Sequence, residues 1–180
     1  MSQRFFTSVL SIASLAIALS AVTGASHANA QATAPAPAAA TAKPDFNGTW
    51  KVNLAKSQFS PAPAPSSETT ILTLAGDDLT IAFDSTDENG KQHFTHVLKM
   101  GGPEVTFPTA GSQSPLVILS SKAEWKANSI MVTDKISYQG GGGWLVSVYT
   151  LSPDGKTLTK AFTASVDQGT FDMTAVYDKA

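Results

Sequence analysis

From Phe46 to Tyr177 the chain alternates apolar and polar residues in short runs cut by turn signals, and no other feature limits its fold so strongly. Leu79, Ile81 and Phe83 share one face of a run, with Thr80, Ala82 and Asp84 on the other. Phe94, His96, Leu98 and Met100 oppose His93, Thr95 and Lys99. Val117, Leu119, Ala123 and Trp125 alternate next, then Ile130, Val132, Asp134, Ile136 and Tyr138, and last Phe171, Met173, Ala175 and Tyr177. Successive side chains of a strand point to opposite faces, so each run predicts one packed and one wet face. Between the runs, Asn89-Gly90 in DENGK and Pro153-Asp154-Gly155 in SPDGK are hairpin chemistry, and Ala75–Asp78 and Asp167–Gly169 mark two further turns. YQGGGGW (Tyr138–Trp144) reads as a flexible connection. The best helical candidate, Leu54–Phe59, is stopped by Pro61, Pro63 and Pro65. About 8–10 strands at hairpin spacing, with one longer crossing near Pro103–Pro115, predict an all-β fold: a single antiparallel up-and-down β-barrel, whose closure removes exposed edges.

The strands begin late because another kind of sequence precedes them. Arg4 is followed by an apolar run from Phe5 to Val22 and by Ala28-Asn29-Ala30, the pattern of a cleaved secretory signal peptide over residues 1–30. Residues 31–44, QATAPAPAAATAKP, have no apolar face to bury and read as a disordered linker. Residues 45–180 form one domain of ordinary length. The expected location is secreted or periplasmic, with cleavage after Ala30 and no membrane span after signal cleavage. The chain has no cysteine, so its core alone must hold it. Its single arginine, Arg4, lies in the leader, and no lysine cluster replaces the guanidinium forks on which nucleic-acid binding relies, so nucleic acid is not expected as a partner.

FNGTWKVN, around Gly48 and Trp50, resembles the first strand of calycins, the superfamily of lipocalins and fatty-acid-binding proteins. TAVYDKA (Thr174–Ala180) is similar to the closing strand of the latter. FNGTWKVNLAKSQFSPAPAP also resembles a group of uncharacterised exported bacterial proteins described as lipocalin-like. The resemblance implies a calycin barrel in which Trp50 plugs the floor and Gly48 lets the chain pass close. Lipocalins lay an arginine over that tryptophan; here Lys160 or Lys179 is left for the place. Where fatty-acid-binding proteins hold the ligand carboxylate with an arginine, two residues before the terminal tyrosine, this chain has Ala175. The Pro-rich segment stands in place of their helical lid.

His93 and His96, three apart in a strand, fall on opposite faces and cannot grip one metal. Asp134 lies between Val132 and Ile136 on an apolar face, where a carboxylate needs a donor, a cation, water or a proton. Asp77, Asp78, Asp84, Asp87 and Glu88 lack the spacing of a calcium loop and read as solvated hairpin tips. No catalytic residue, metal site or cofactor is assigned. A barrel of this size is filled by side chains or holds one small ligand. The expected function is an exported binding protein for a small apolar or amphipathic molecule. Its wall would be Phe94, Leu98, Ile130, Val132, Ile136, Tyr138, Phe171 and Met173, with His96, Asp134 and Tyr177 as polar handles. Two alternatives stay open: a filled barrel acting as a structural or protein-interaction module of the cell envelope, and an isomerase or haem protein built around His96 and Asp134.

Overall fold

The computed structural model describes residues 42–88, 90–108 and 116–180. The expected leader, all but the last three residues of the expected linker, and Asn89 of the Asn-Gly turn lie outside them. The strands are β1 (Gly48–Val52), β2 (Ser67–Ala75), β3 (Asp78–Asp87), β4 (Gly90–Lys99), β5 (Val105–Thr106), β6 (Leu116–Lys126), β7 (Ser129–Tyr138), β8 (Gly141–Leu151), β9 (Thr157–Val166) and β10 (Gly169–Lys179). They form one 10-stranded antiparallel sheet in the order β4-β3-β2-β1-β10-β9-β8-β7-β6-β5. Consecutive strands therefore pair throughout except β4 and β5, which end the sheet, and β1 pairs with β10, Trp50 facing Lys179. This is the up-and-down barrel that the alternation predicts. The ladder is interrupted between β4 and β6, and the seam is bridged by other means. Met100 pairs with Ala123, and the Gly101 amide donates to the Ala123 carbonyl at 2.8 Å. The His96 ring stacks on Phe107 with centroids 3.8 Å apart.

Three local readings differ from expectation. Residues 54–59 make only a 3₁₀ turn, Leu54–Lys56, because Gln58 is drawn into a bridge with Thr174, amide to carbonyl in both directions at 2.7 and 2.8 Å. In β6 a bulge between Ile118 and Ser120 reverses the facing of the strand. Leu116 and Ile118, not Val117 and Leu119, thereby share the interior with Ser121 and Ala123. The glycine-rich stretch is not a loose connection: Gly141, Gly142 and Gly143 pair with Tyr138, Ser137 and Ile136. A Cβ on Gly143 would stand 2.5 Å from the Ser165 carbonyl oxygen, so the bare backbone lets β8 and β9 approach.

One end of the barrel is packed solid. Phe46, Trp50, Leu72, Leu79, Leu98, Ile130, Leu158, Ala175 and Tyr177 are all fully buried there. The Trp50 indole Nε1 donates to the Phe46 carbonyl at 3.1 Å, and the Lys179 ammonium sits 5.2 Å from the indole centroid. Of the two lysines left for that place by the sequence, Lys179 takes it. Outside the floor, Lys43 donates to the Ala127 carbonyl at 2.8 Å and lies over Trp125, so the chain already docks on the barrel before Phe46. Gly48 has φ +145° and would place a Cβ 2.9 Å from Lys179 Cε. Gly48→Ala should therefore lower stability by about 1–3 kcal/mol in a urea titration; an unchanged midpoint would mean that the backbone here is not constrained.

Candidate ligand-binding cavity

Above the floor the barrel is hollow. The cavity has a volume of about 580 Å³ and is mostly apolar, with Ile81, Phe83, Phe94, Ile118, Leu145 and Phe162 among its walls. Its mouth lies where the hairpin ends at Asp87, Gln139 and Gln168 meet the Pro-rich segment, of which Phe59, Pro61, Pro63 and Pro65 line the opening. Prolines locked in φ project apolar rings there without presenting N–H groups that would need partners.

The alternating runs place most of the expected wall. Phe94, His96, Val132, Asp134, Ile136, Tyr138, Phe171 and Met173 all line the cavity. Leu98, Ile130 and Tyr177 do not: each is fully buried in the packed floor, one to two strand steps below the hollow. Their faces were inward as expected, but alternation carries no information about depth along the barrel axis. Tyr177 still bears on the site, because its hydroxyl donates to the Glu68 carboxylate, which does line the cavity.

A polar cluster faces the hollow from several strands. Glu68 comes from β2, Asp134 from β7, Ser147 and Tyr149 from β8, and Lys160 from β9. Glu68, Ser147 and Tyr149 were not singled out from the sequence, and Lys160 was named only as a candidate cover for Trp50, although a signal existed. Glu68 is in phase with Leu72, Tyr149 with Leu145, and Lys160 with Leu158 and Phe162, so the period-two rule applied to β2, β8 and β9 brings each inward. The Lys160 ammonium lies 3.9 Å from Glu68 and about equally far, 5.2 and 5.0 Å, from the Phe83 and Phe162 rings. Asp134 Oδ1 accepts from Ser121 Oγ, its cross-strand neighbour on β6. Burial pushes the Asp134 carboxyl up to about 6, against the opposing pull of the Ser121 hydrogen bond and the Lys160 charge. The phenols of Tyr149 and Tyr177 are pushed up by burial first and then by the neighbouring carboxylates, so both remain neutral donors.

Rings line the seam side. Phe83 stacks on Phe94 at 4.8 Å, Phe94 on His96 at 4.6 Å, and His96 on Phe107. Burial lowers the His96 imidazole to about 4, which keeps it neutral at ordinary pH. His93 lies on the outer face, its Nδ1 2.7 Å from Asp84 Oδ1. Of the acidic hairpin tips, Asp78 faces Lys99 at 3.5 Å. Among the described residues no group of three or more His, Asp or Glu converges as a metal site would require. Among them, too, no helix is long and apolar enough to cross a membrane.

No protein-family model and no curated protein matches the chain. Solved structures do. An abundant heat soluble (SAHS) protein of Ramazzottius varieornatus superposes with a TM-score of 0.52 over 75% of this chain and 95% of that one, at 12% identity. The zebrafish ileal bile acid-binding protein, complexed with cholic acid, superposes with 0.48 over 75% and 98% at 19% identity. A Schistosoma mansoni fatty acid binding protein in complex with arachidonic acid gives 0.47 over 75% and 96%, also at 19%. The first likeness extends to the fold alone, and the other two, below 0.5, bear no weight. With a sheet that runs strand by strand and closes first on last, the chain has a calycin-type barrel.

Proposed function

We propose that this calycin-type barrel is an exported binding protein that holds one small apolar or amphipathic molecule in its interior. The observation that carries the reading is the cavity: at about 580 Å³ it falls in the range of small-molecule sites, roughly 300–1,000 Å³, and its apolar walls surround a few convergent polar groups. A filled barrel acting through its outer surface would have closed this space with side chains, as the floor below it is closed. Export rests on the leader pattern and would leave Gln31 as the first residue.

Native mass spectrometry of the protein isolated from its source should show an added mass that is lost on denaturation, and terminal sequencing should begin at Gln31. An environment-sensitive apolar dye should bind saturably. Ala164, a small residue on the cavity wall between Leu145 and Phe171, offers a blocking variant. Ala164→Trp should weaken dye binding by about tenfold or more while the far-ultraviolet spectrum stays that of the wild type. A wild-type protein that carries no added mass and takes up no dye would sink the reading, as would a blocked variant that binds as well as the wild type.

A further inference from the structure

The charges facing the hollow do not balance. Its buried part holds two carboxyl groups, Glu68 and Asp134, against one ammonium, Lys160; His96 is neutral and Tyr149 is a neutral phenol. Tyr177, on the neighbouring β10, is neutral as well, and the mouth adds a third carboxyl, Asp87. Lys160 is already engaged: it lies beside Glu68 and against two phenyl rings, and no ion pair joins it to Asp134. Asp134 is 6% exposed. Its Oδ1 takes the Ser121 hydroxyl, its Oδ2 accepts no hydrogen bond from the described residues, and the residue lines the cavity.

We infer that the ligand is an amphiphile with a protonated amine head, whose ammonium meets Asp134 while its apolar body lies along the phenyl walls. This rests on the binding reading above and goes further by naming the head group. A buried carboxylate with a spare lone pair and open space before it is disfavoured in the empty barrel and relieved by a cation that brings its own N–H donors. A carboxylate ligand would instead add another negative charge in low dielectric, with no arginine to receive it and the sole inward lysine already paired among the described residues. A hydroxyl head could donate to Oδ2 but would leave the charge uncompensated.

The test holds the tail constant and changes the head. Dodecylammonium, dodecanol and dodecanoate, each below its micellar concentration, are titrated into the purified full chain at pH 8 by calorimetry and by displacement of the apolar dye. Dodecylammonium should bind about tenfold or more tighter than dodecanoate, with dodecanol between. Asp134→Asn should bring the two charged probes to within about threefold of one another. In the wild type the advantage should shrink as pH falls below about 6, where Asp134 takes up its proton before the ligand arrives. Dodecanoate binding as tightly as dodecylammonium would overturn the head-group inference and leave the binding reading standing. A preference for the amine that survives Asp134→Asn would overturn the role of Asp134. Failure of all three probes to displace a dye that does bind would overturn the head-group inference and leave the binding reading standing; failure of the dye itself to bind would sink both.

Discussion

Trp50→Ala should cost about 3–5 kcal/mol, a large share of the roughly 5–15 kcal/mol available to a domain of this size. Three losses coincide at this position. The indole is fully buried in the floor, so its removal leaves a void that the surrounding Phe46, Leu72 and Leu158 cannot fill without moving strands held by ladder hydrogen bonds. The buried Phe46 carbonyl loses its donor at 3.1 Å. Lys179 loses the ring beneath it. Trp50→Phe keeps most of the volume and removes the N–H, so its smaller loss separates packing from the hydrogen bond. Urea denaturation of the three proteins gives the comparison, with midpoints read at constant m. A loss below about 1 kcal/mol for Trp50→Ala would mean that the indole does not seal the barrel.

Asp134→Asn should do the opposite and stabilise the empty protein, by about 2–3 kcal/mol at pH 8. The sign follows from the raised carboxyl. In the unfolded chain Asp134 ionises with the ordinary value of 3.8, and in the barrel burial holds it at about 6. Below the unfolded value both states are protonated and Asp134 costs nothing. As pH rises from about 4 to 6 the unfolded chain releases its proton first, so stability falls. Above about 6 the full penalty of a buried, unpaired carboxylate is present. Asparagine keeps an oxygen for the Ser121 hydroxyl and carries no charge, so its advantage should be near zero at pH 4 and complete by pH 7. Denaturant midpoints of the two proteins across that range provide the measurement. An Asp134→Asn variant less stable than the wild type at pH 8 would show that the carboxylate has a partner strong enough to offset its burial.

Read strand by strand, the sequence already determined that this domain is a meander of hairpins and which side of most strands is dry. Period-two placement of Ile81, Phe94, Val132 and Phe171 and the turns at Gly76, Gly155 and Gly169 are local chemistry, and local chemistry is what a single strand can express. The resemblance to calycins implied Trp50 as the plug, with Lys160 or Lys179 to cover it, and the alternation put Asp134 inside. Tertiary structure alone decided three things. The bulge in β6 exchanged Leu116 and Ile118 for Val117 and Leu119, because one unpaired residue shifts every later side chain to the other face. Depth along the axis separated Leu98, Ile130 and Tyr177, in the floor, from Phe94, Val132 and Met173, in the hollow. Closure through the pairing of β1 with β10 brought Glu68, Asp134 and Lys160 from distant strands into one low-dielectric space. Whether a charge there is paired or left over depends on distances across the barrel, which no run of neighbouring residues encodes.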